Sequence, residues 1–357
     1  MKKTALIMAG GKGERFWPKS RQGLPKQFLS LTGDNKTMIQ LAVERISDNV
    51  LIADTFVVTN EKYKELVKEQ LPGLPEENII CEPEGRNTAP CIGLGAAIIS
   101  SRYPDEDPTI IVLPSDHMVK DVIAFNDRIK TACEAADEKK GIVTIGIRPG
   151  YPETGYGYIR YDRSSEENGV FKVSSFVEKP DLDTAKKYLE SGEYLWNSGM
   201  FVWNLSTIRD SFKTFLPETY DVLKKIKEHI LSDSTKKIKE LFKETEAESV
   251  DYAIMEKADN IYIIPGDFGW DDVGSWLALS RINDTDQNGN FITGNVTALD
   301  TYGCIIDSSS DRLVATLGAK DLVIVDTEDV LLVTDKAHAA DIKTLISELK
   351  NTKDRYL

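Results

Sequence analysis

A basic, glycine-rich segment near the start of the chain is the first candidate for chemistry. It reads GGKGERFWPKSRQGLPKQF over residues 10–28 and directly follows the apolar run of residues 4–9. The segment contains five cations and one acid, although the whole chain carries a net charge of −14. Glycines let backbone N–H groups approach phosphate oxygens, and arginine and lysine can neutralise those oxygens. The segment therefore predicts a phosphate site, with a solvated basic loop as the alternative.

Three familiar phosphate-binding motifs do not match this segment. A dinucleotide GxGxxG motif fails because GKGERF carries Phe16 in place of the third glycine, and no GK[ST] occurs at Walker A spacing. A kinase glycine loop would require a hairpin, which the sequence does not indicate. What remains is a glycine loop with Arg15 early and Lys26 later. This arrangement suits a polyphosphate whose leaving end needs positive countercharge.

Aspartates follow two places where strands are predicted to end. Asp116 comes just after the apolar run IIVLP, and Asp271 and Asp272 lie in the glycine-bounded segment GDFGWDDVGSW. Mg²⁺ prefers a few carboxylates together with water and phosphate oxygens, so two such aspartates could hold it. Asp116 or Asp272 could equally cap a following helix, and the residues alone leave both interpretations open.

The segment CEPEGRNTAP carries the residues that could recognise a base. Guanine presents N1–H and N2–H₂ side by side as donors, and the carboxylate of Glu82 can accept from both. Uracil or thymine would instead suit a side-chain amide, so Glu82 favours guanine. An exposed loop acid is the alternative interpretation, and Thr88 could simply be the N-cap of the next helix.

Three further segments could bind a sugar phosphate. ETGYGYIRY allows backbone contact with a sugar ring, and FVEKP places Glu178 and Lys179 at a strand end. A carboxylate accepts hydroxyl hydrogens, and a lysine neutralises a phosphate. WNSGMFVW offers Asn197 before another strand, while Trp196 and Trp203 are expected in the core. Each segment is weak alone, but together they place polar clusters at successive strand ends.

These residues must be positioned by an α/β architecture. Apolar, β-branched runs alternate with helical patterns, which predicts a Rossmann-like, mainly parallel sheet covered by helices on both faces. Ligands in such sheets bind at the carboxyl ends of the strands. The predicted strands are residues 4–9, 55–59, 78–81, 109–114, 142–147, 173–178, 199–204 and 261–265, and the predicted helices are residues 37–48, 61–71, 89–102, 122–139, 182–190 and 218–245.

The pattern changes at the polar connector NDTDQNGN. Short strand-like pieces follow without intervening helices, which predicts a small β unit, and a last helix is predicted over residues 338–350. We therefore divide the chain into an α/β domain over residues 1–284 and a C-terminal β domain over residues 285–357. Four apolar residues share one face of the last helix: Ile342, Leu345, Ile346 and Leu349.

Composition and charge argue against several classes of protein. A chain of 357 residues is long enough for two domains, and 41% hydrophobic and 29% charged residues are typical of soluble globular proteins. The acidic balance argues against binding nucleic acid or an anionic membrane, and no apolar stretch has the length of a membrane span. Four scattered cysteines indicate reduced thiols in the cytoplasm, and three histidines disfavour a His-rich metal site.

The chain resembles the sugar-phosphate nucleotidylyltransferases, and among them the bacterial mannose-1-phosphate guanylyltransferases. The matching segments, in order, are GGKGERFWPKSRQGLPKQF, EPEGRNTAP, LPSDH, PETGYGYI, FVEKP, WNSGMF and GWDDVGSW. The resemblance implies a nucleotide-diphospho-sugar transferase fold in which GTP and α-D-mannose 1-phosphate give GDP-mannose and pyrophosphate with Mg²⁺. It implies in-line attack without a covalent intermediate. The β unit resembles a short left-handed β-helix, often at a dimer contact, so a homodimer is expected.

The resemblance also implies roles for individual residues. The catalytic set would comprise two triphosphate ligands, Arg15 and Lys26, and two metal ligands, Asp116 and Asp272. Asp272 is preferred to Asp271 because it matches the family's W-x-D-x-G motif. The nucleotide would be bound by Gly10, Gly11, Gly13, Glu82, Asn87 and Thr88, with Arg86 supporting the loop, and the sugar by Gly157, Glu178 and Asn197, with Lys179 on its phosphate.

The chain departs from the family pattern in two places. Lys12 and Glu14 stand where the family loop more often has small hydroxyl residues, and Glu14 would repel a triphosphate unless it points outward. Many relatives continue into a cupin-like isomerase domain, whereas this sequence stops at Leu357. Isomerase activity is therefore not expected here. Two rival interpretations remain: a nucleotidylyltransferase for another sugar or nucleotide, and a GDP-mannose-binding regulatory subunit without turnover. The retained cations and acids disfavour the second.

Overall fold

The computed structural model describes residues 2–232 and 234–357. The chain forms two compact units that are interleaved along the sequence. The first unit comprises Met1–Gly10, Ala42–Ser115 and Asp121–Trp270, and the second comprises Gly11–Leu41, Asp116–Lys120 and Asp271–Leu357. The division into sequential domains after residue 284 stays a prediction.

The strands and helices have the following bounds. The strands are β1 Lys3–Ala9, β2 Thr55–Asn60, β3 Ile79–Glu82, β4 Thr109–Pro114, β5 Met118–Val119, β6 Ile142–Ile147, β7 Tyr158–Glu167, β8 Val170–Val177, β9 Tyr194–Asn204, β10 Ile261–Gly266, β11 Trp270–Asp271, β12 Phe291–Thr293, β13 Val296–Leu299, β14 Ile305–Ser308, β15 Val314–Leu317, β16 Leu322–Asp326 and β17 Leu331–Asp335. The α-helices are α1 Met38–Ile46, α2 Lys64–Gln70, α3 Thr88–Arg102, α4 Val122–Lys139, α5 Leu182–Ser191, α6 Leu205–Phe215, α7 Pro217–Leu231, α8 Thr235–Phe242, α9 Leu279–Ile282 and α10 Ile342–Thr352.

The first unit is built on a nine-stranded sheet with the order β3-β2-β1-β4-β9-β6-β10-β8-β7. The first four of these strands are parallel neighbours, and β6 and β10 form another parallel pair. Strands β8 and β9 run opposite to the rest. The central strands carry β-branched residues that are buried on both faces, as a helix-covered parallel sheet requires. The predicted mainly parallel α/β sheet is confirmed.

Some predicted elements of the first unit were wrong. The helix predicted over residues 218–245 is two helices, α7 and α8. Strand β9 begins at Tyr194, so Asn197 lies within a strand and not before one. Strand β7 and helix α6 were not predicted. Most of β7 is polar and exposed, so it lacks an apolar run. It forms a hairpin with β8, and its first three residues also pair with β9.

The second unit contains a coil of short parallel strands. Strand β12 pairs with β14 and β14 with β16, while β13 pairs with β15 in a separate stack. Successive side chains point to opposite faces of a strand. Ile306 and Ile324 therefore form a small apolar cluster with Cys304, whereas Ile305 and Val323 pack into a larger one. This arrangement agrees with the predicted β unit.

Helix α10 covers the larger apolar cluster of the second unit. Ile342 and Ile346 are 3% and 4% exposed and pack with Phe16 and Trp276. Leu345, which was predicted on the same face, is 40% exposed. The helix begins at residue 342 because a 3₁₀ turn, Lys336–Asp341, precedes it. Among the described residues, no helix is long and apolar enough to cross a membrane.

Candidate functional site

A polar cavity of about 360 Å³ lies within the second unit. It brings together the glycine loop, the segment after β4, the turn after β11 and helix α10, although these are far apart in sequence. Every predicted catalytic residue lines it. The lining residues are Lys12, Gly13, Glu14, Arg15, Phe16, Lys26, Asp116, His117, Asp272, Gly274 and Lys343.

Gly13 shapes the loop at the cavity wall. Its φ is +59°, in the left-handed region that side chains rarely adopt. A Cβ at this position would lie 2.5 Å from the backbone nitrogen of Lys26, so no side chain fits. Gly11 is different, because nothing lies within 4 Å of a Cβ built there, and it is exposed. Gly13 therefore sets the path of the chain, while Gly11 leaves its backbone accessible.

Lys26 lies at the centre of the charged residues that line the cavity. Its side chain is 6% exposed, and Nζ lies 2.9 Å from Asp116 Oδ2. The same ammonium donates hydrogen bonds of 2.8 Å to the main-chain oxygens of Asp272 and Val273. One buried cation thus joins the two predicted metal-binding segments. The role of Lys26 as a phosphate ligand stays a prediction, because three protein acceptors already surround Nζ.

The electrostatics of Asp116 favour its ionised form. Burial alone raises the pKa of this carboxyl, but the charge of Lys26, with a smaller contribution from His117, holds the pKa below its ordinary value. The side chain is still 33% exposed, and His117 Nε2 lies 3.9 Å from Oδ1. Asp116 is therefore an accessible anion at neutral pH.

The two adjacent aspartates, Asp271 and Asp272, have different partners. Asp271 accepts the backbone N–H of Val273 and pairs with Arg281 through Nε and Nη2, at 2.7 and 3.1 Å. Asp272 accepts the backbone N–H of Gly274 at 3.1 Å and lines the cavity. Val273, which follows Asp272, is fully buried with a φ of +49°, a strained conformation for a β-branched residue. The turn thus favours Asp272 as the candidate ligand.

The donor set of the cavity fits a magnesium ion that is also bound by a phosphate. Asp116 and Asp272 supply two carboxylates, and Mg²⁺ is commonly held by one or two carboxylates plus substrate oxygens. In the part of the chain that the structure describes, no group of three or more acidic, His or Cys side chains is arranged to hold a metal.

Three charged residues complete the cavity. Arg15 is exposed and donates from Nη1 to the main-chain oxygen of Gly274 at 3.3 Å. Glu14 has a cationic neighbour, since its Oε1 lies 3.7 Å from Lys350 of α10. Lys343 of the same helix lines the cavity and was not predicted. No motif marks it, and only the packing of α10 brings it to the glycine loop.

Glu82 stands at the carboxyl end of β3 in the first unit and is 4% exposed. Its Oε1 is buried and has no hydrogen-bond partner among the described residues. A Cβ at Gly10 would lie 3.3 Å from its Oε2, so the first glycine of the motif borders this carboxyl. Burial raises the pKa of Glu82 to about 8. The alternative interpretation of Glu82 as an exposed loop acid is therefore wrong. Its Oε1 is a buried oxygen that could accept hydrogen bonds from a ligand.

The residues after Glu82 form the start of α3. Asn87 has a φ of +71° and caps the helix by accepting the N–H of Thr88, so the cap is Asn87 and not Thr88. The hydroxyl of Thr88 accepts the N–H of Val250 at 2.9 Å. Arg86 donates from Nε to the main-chain oxygen of Thr245 at 3.0 Å. This hydrogen bond ties the loop to the segment around Thr245, and the contribution of Arg86 to nucleotide binding stays a prediction.

The predicted sugar-binding residues lie together, also in the first unit. A Cβ at Gly157 would overlap Glu178 Oε2 and lie 3.2 Å from the Cβ of Asn197, so the three residues are in contact. Asn197 N–H donates to the main-chain oxygen of Gly157 at 2.8 Å. Lys179 has a φ of +49° and places Nζ 2.8 Å from Glu178 Oε1.

Asp251 joins this cluster although it was not predicted. Asn197 Nδ2 donates to its Oδ1 at 2.8 Å. Burial, and then the neighbouring charge of Glu178, raises the pKa of Asp251 to about 6. The only sequence signal is an acid within the apolar run VDYAIM.

The chain is similar to known proteins over nearly its whole length. Residues 4–289 match the family described as Nucleotidyl transferase, and residues 294–349 match a MannoseP isomerase/GMP-like beta-helix domain. A mannose-1-phosphate guanylyltransferase of Escherichia coli is 41% identical over 97% of this chain and 73% of its own length. A mannose-1-phosphate guanylyltransferase of Klebsiella pneumoniae is 41% identical over 98% of this chain and 75% of its own length. A solved Thermus thermophilus structure, titled mannose-1-phosphate geranyltransferase, is 35% identical, covers 98% of this chain and 100% of its own, and has a TM-score of 0.88.

Proposed function

Because the chain belongs to the nucleotidyl transferase family, we propose that it transfers GMP from GTP to α-D-mannose 1-phosphate. A phosphate oxygen of the sugar phosphate forms a bond to the α-phosphorus of GTP. The bond from that phosphorus to the β-phosphate bridging oxygen breaks, and pyrophosphate leaves with its electron pair. The products are GDP-mannose and pyrophosphate. The observation that carries the proposal is the cluster of Asp116 and Asp272 about the buried cation of Lys26.

The chain's own residues contribute positioning and countercharge. The sugar phosphate is already ionised, so no protein nucleophile or base is needed, and an in-line displacement follows from placing the reactants correctly. We assign Arg15 and the backbone of Gly11 and Gly13 to the triphosphate, where charge accumulates as pyrophosphate departs. Lys26 fixes Asp116 and the Asp272 turn, and it would reach a phosphate only by releasing one of its acceptors.

Mg²⁺ is the ion we propose for Asp116 and Asp272. When bound, it would neutralise charge on the phosphates and help to align them. Asp116 offers an ionised carboxylate. Asp272 offers a second side-chain oxygen ligand, on a turn in which it accepts the N–H of Gly274.

We propose that Glu82 binds guanine and that Asn87 and Thr88 contact the nucleoside. A buried carboxylate with an unused oxygen can accept from both N1–H and N2–H₂ of guanine. Mannose 1-phosphate is assigned to the cluster of Gly157, Glu178 and Asn197, with Lys179 on the phosphate. The Lys179 side chain is 56% exposed and can therefore reach a ligand.

The experiment that tests the function is pyrophosphate release by the purified protein with Mg²⁺. GTP, ATP, UTP and dTTP are each paired with mannose, glucose and galactose 1-phosphates. Release confined to GTP with mannose 1-phosphate supports the proposal, and release with another pair keeps the mechanism but overturns the substrates. Binding of GDP-mannose without release from any pair would identify a regulatory protein.

Geranyl diphosphate is a further donor to test, and we expect no transfer because the cavity is polar and charged.

The pH dependence of GTP binding should report on Glu82. Its pKa of about 8 leaves the carboxyl mainly protonated at pH 7, whereas guanine requires the ionised form. GTP affinity should therefore rise with pH and level off above about pH 8, by at most about tenfold per unit. Glu82→Gln should weaken GTP binding about 10- to 100-fold and remove this dependence. Calorimetry of both proteins at equal pH cancels the titration of GTP itself, and a parallel pH profile in the variant would contradict the assignment.

The same substitution should stabilise the free protein. A folded pKa above the unfolded value near 4.5 means that stability is lost as pH rises from about 4.5 to 8. Glu82→Gln removes this loss, which amounts to at most about 3 kcal/mol at pH 7. A thermal unfolding midpoint that rises while GTP binding falls would show that the buried acid is kept for recognition.

A homodimer formed through the β unit is a further proposal. Leu299 and Leu317 lie opposite each other on β13 and β15 and are 60% and 75% exposed. Large exposed apolar residues in contact often mark an interface. Leu317→Glu should shift the protein to monomers in sedimentation, whereas Leu182→Glu, at a 48% exposed site in α5, should not. An unchanged mass in both variants would contradict this interface.

A cytoplasmic location is also proposed, since all four cysteines are free thiols.

A further inference from the structure

A π-helical turn, Asp251–Met255, lies beside the predicted sugar-binding residues. Its hydrogen bonds join residues five apart, and the N–H of Glu256 donates to the main-chain oxygen of Asp251 at 3.0 Å. Single π turns are rare and frequently occur at functional sites. Here the first residue of the turn, Asp251, and the residue that follows it, Glu256, both contact the predicted sugar-binding residues.

Asp251 fixes the orientation of the Asn197 side chain. Asn197 Nδ2 donates to Asp251 Oδ1 at 2.8 Å, and its Oδ1 accepts the N–H of Gly199 at 3.1 Å. A carboxylate on one side and an N–H on the other allow one assignment of the amide oxygen and nitrogen. The second hydrogen on Nδ2 is not used by either contact, so it can be donated to a ligand oxygen.

Glu256 holds the other acid of the cluster. Its Oε1 accepts the backbone N–H of Glu178 at 3.1 Å. Glu178 uses Oε1 for Lys179, while its Oε2 is buried and has no hydrogen-bond partner among the described residues. An unsatisfied buried carboxylate oxygen costs free energy unless a ligand donates to it. The hydroxyls of a sugar are donors of the required kind.

We propose that Asp251 is a positioning residue for the sugar: through Asn197 it presents an amide donor beside the carboxylate acceptor of Glu178. One group that gives a hydrogen and one that accepts a hydrogen, held side by side, recognise a pair of neighbouring hydroxyls on a pyranose ring. This inference rests on the proposed function, because it concerns the acceptor that the enzyme uses. It adds Asp251, a residue that no sequence motif marks.

The test uses steady-state kinetics of the full chain with GTP and mannose 1-phosphate. Asp251→Ala should raise KM for mannose 1-phosphate about 10- to 100-fold and leave KM for GTP within about twofold. Asp251→Asn keeps an oxygen that accepts from Asn197 and should restore KM to within about threefold of the wild-type value. Equal loss in both variants, or equal effects on both substrates, would overturn the positioning role.

Deoxy analogues separate positioning from a general loss of structure. With wild-type protein, the 2-, 3- and 4-deoxy sugar phosphates identify the hydroxyls that lower kcat/KM when they are removed. In Asp251→Ala the penalty for those hydroxyls should shrink to about threefold or less. Lys179→Ala is the matched control, and it should weaken all sugar phosphates alike. Unchanged penalties in Asp251→Ala would contradict the inference, whereas a wild-type protein that does not turn over mannose 1-phosphate would instead refute the proposed function.

Discussion

Asp272→Asn is expected to lower kcat by about a thousandfold. The substitution keeps an oxygen that accepts the N–H of Gly274, so the turn should survive, but it removes one of the two aspartate carboxylates that line the cavity. The neutral amide is a poor ligand for a hard divalent cation beside phosphates. Initial rates over a range of Mg²⁺ concentrations, together with the thermal unfolding midpoint, measure both consequences. We expect more Mg²⁺ to be needed and little change in the midpoint.

Asp271→Asn is the matched control, since it makes the same chemical change one residue earlier. Asp271 pairs with Arg281 through two nitrogens and accepts the N–H of Val273. Loss of this charged pair should lower the unfolding midpoint by several degrees and leave kcat within about tenfold. The reverse pattern, a catalytic loss at Asp271 and a structural loss at Asp272, would exchange the two roles.

The assignment of the two aspartates shows what the sequence could predict. A continuous apolar run predicts a buried parallel strand, so Asp116 was correctly expected just past the end of β4. The motif W-D-D-V-G selected Asp272 by resemblance alone. The physical reason appears only in three dimensions, because Arg281, ten residues later in the chain, pairs with Asp271. Helix α6 had a usable signal, since Leu205, Ile208 and Phe212 recur at helical spacing and are buried.

Other features had no local signal in the sequence. The π turn at Asp251 is defined by hydrogen bonds that residue patterns do not encode. Lys343 reaches the cavity because Ile342 and Ile346 dock α10 on the apolar cluster of the second unit. Both cases depend on contacts between segments that are far apart in the chain. Residue types therefore predicted several of the charged residues that line the cavity, but not the neighbours that hold them in place.

The strained backbone at Val273 follows from the same arrangement. A fully buried valine with a φ of +49° is tolerated only where its surroundings compensate for the strain. Its carbonyl and that of Asp272 both accept from Lys26, while its N–H donates to Asp271. The ammonium and the carboxylate thus hold the turn in the one conformation that directs Asp272 to the cavity. Lys26 is for this reason as much a part of the site as the acids.

Lys26→Met should therefore lose activity and stability together. Methionine fills a similar volume but leaves Asp116 without its cation and two main-chain oxygens without their donor. Removing one member of a largely buried ion pair should lower the free energy of unfolding by about 2 to 4 kcal/mol. We expect kcat to fall about a thousandfold, because both segments that we propose for Mg²⁺ lose their shared contact with Lys26. Urea unfolding and initial rates at saturating GTP measure the two effects.

Arg15→Met provides the contrast, because Arg15 is exposed and its hydrogen bond to the main-chain oxygen of Gly274 is long, at 3.3 Å. It should leave the free energy of unfolding within about 0.5 kcal/mol, raise KM for GTP about tenfold and weaken inhibition by pyrophosphate. If Lys26→Met instead behaves like Arg15→Met, with normal stability and weaker pyrophosphate inhibition, then Lys26 binds phosphate directly. If it unfolds more easily while its pyrophosphate inhibition is unchanged, the buried cation acts by holding Asp116 and the Asp272 turn in place.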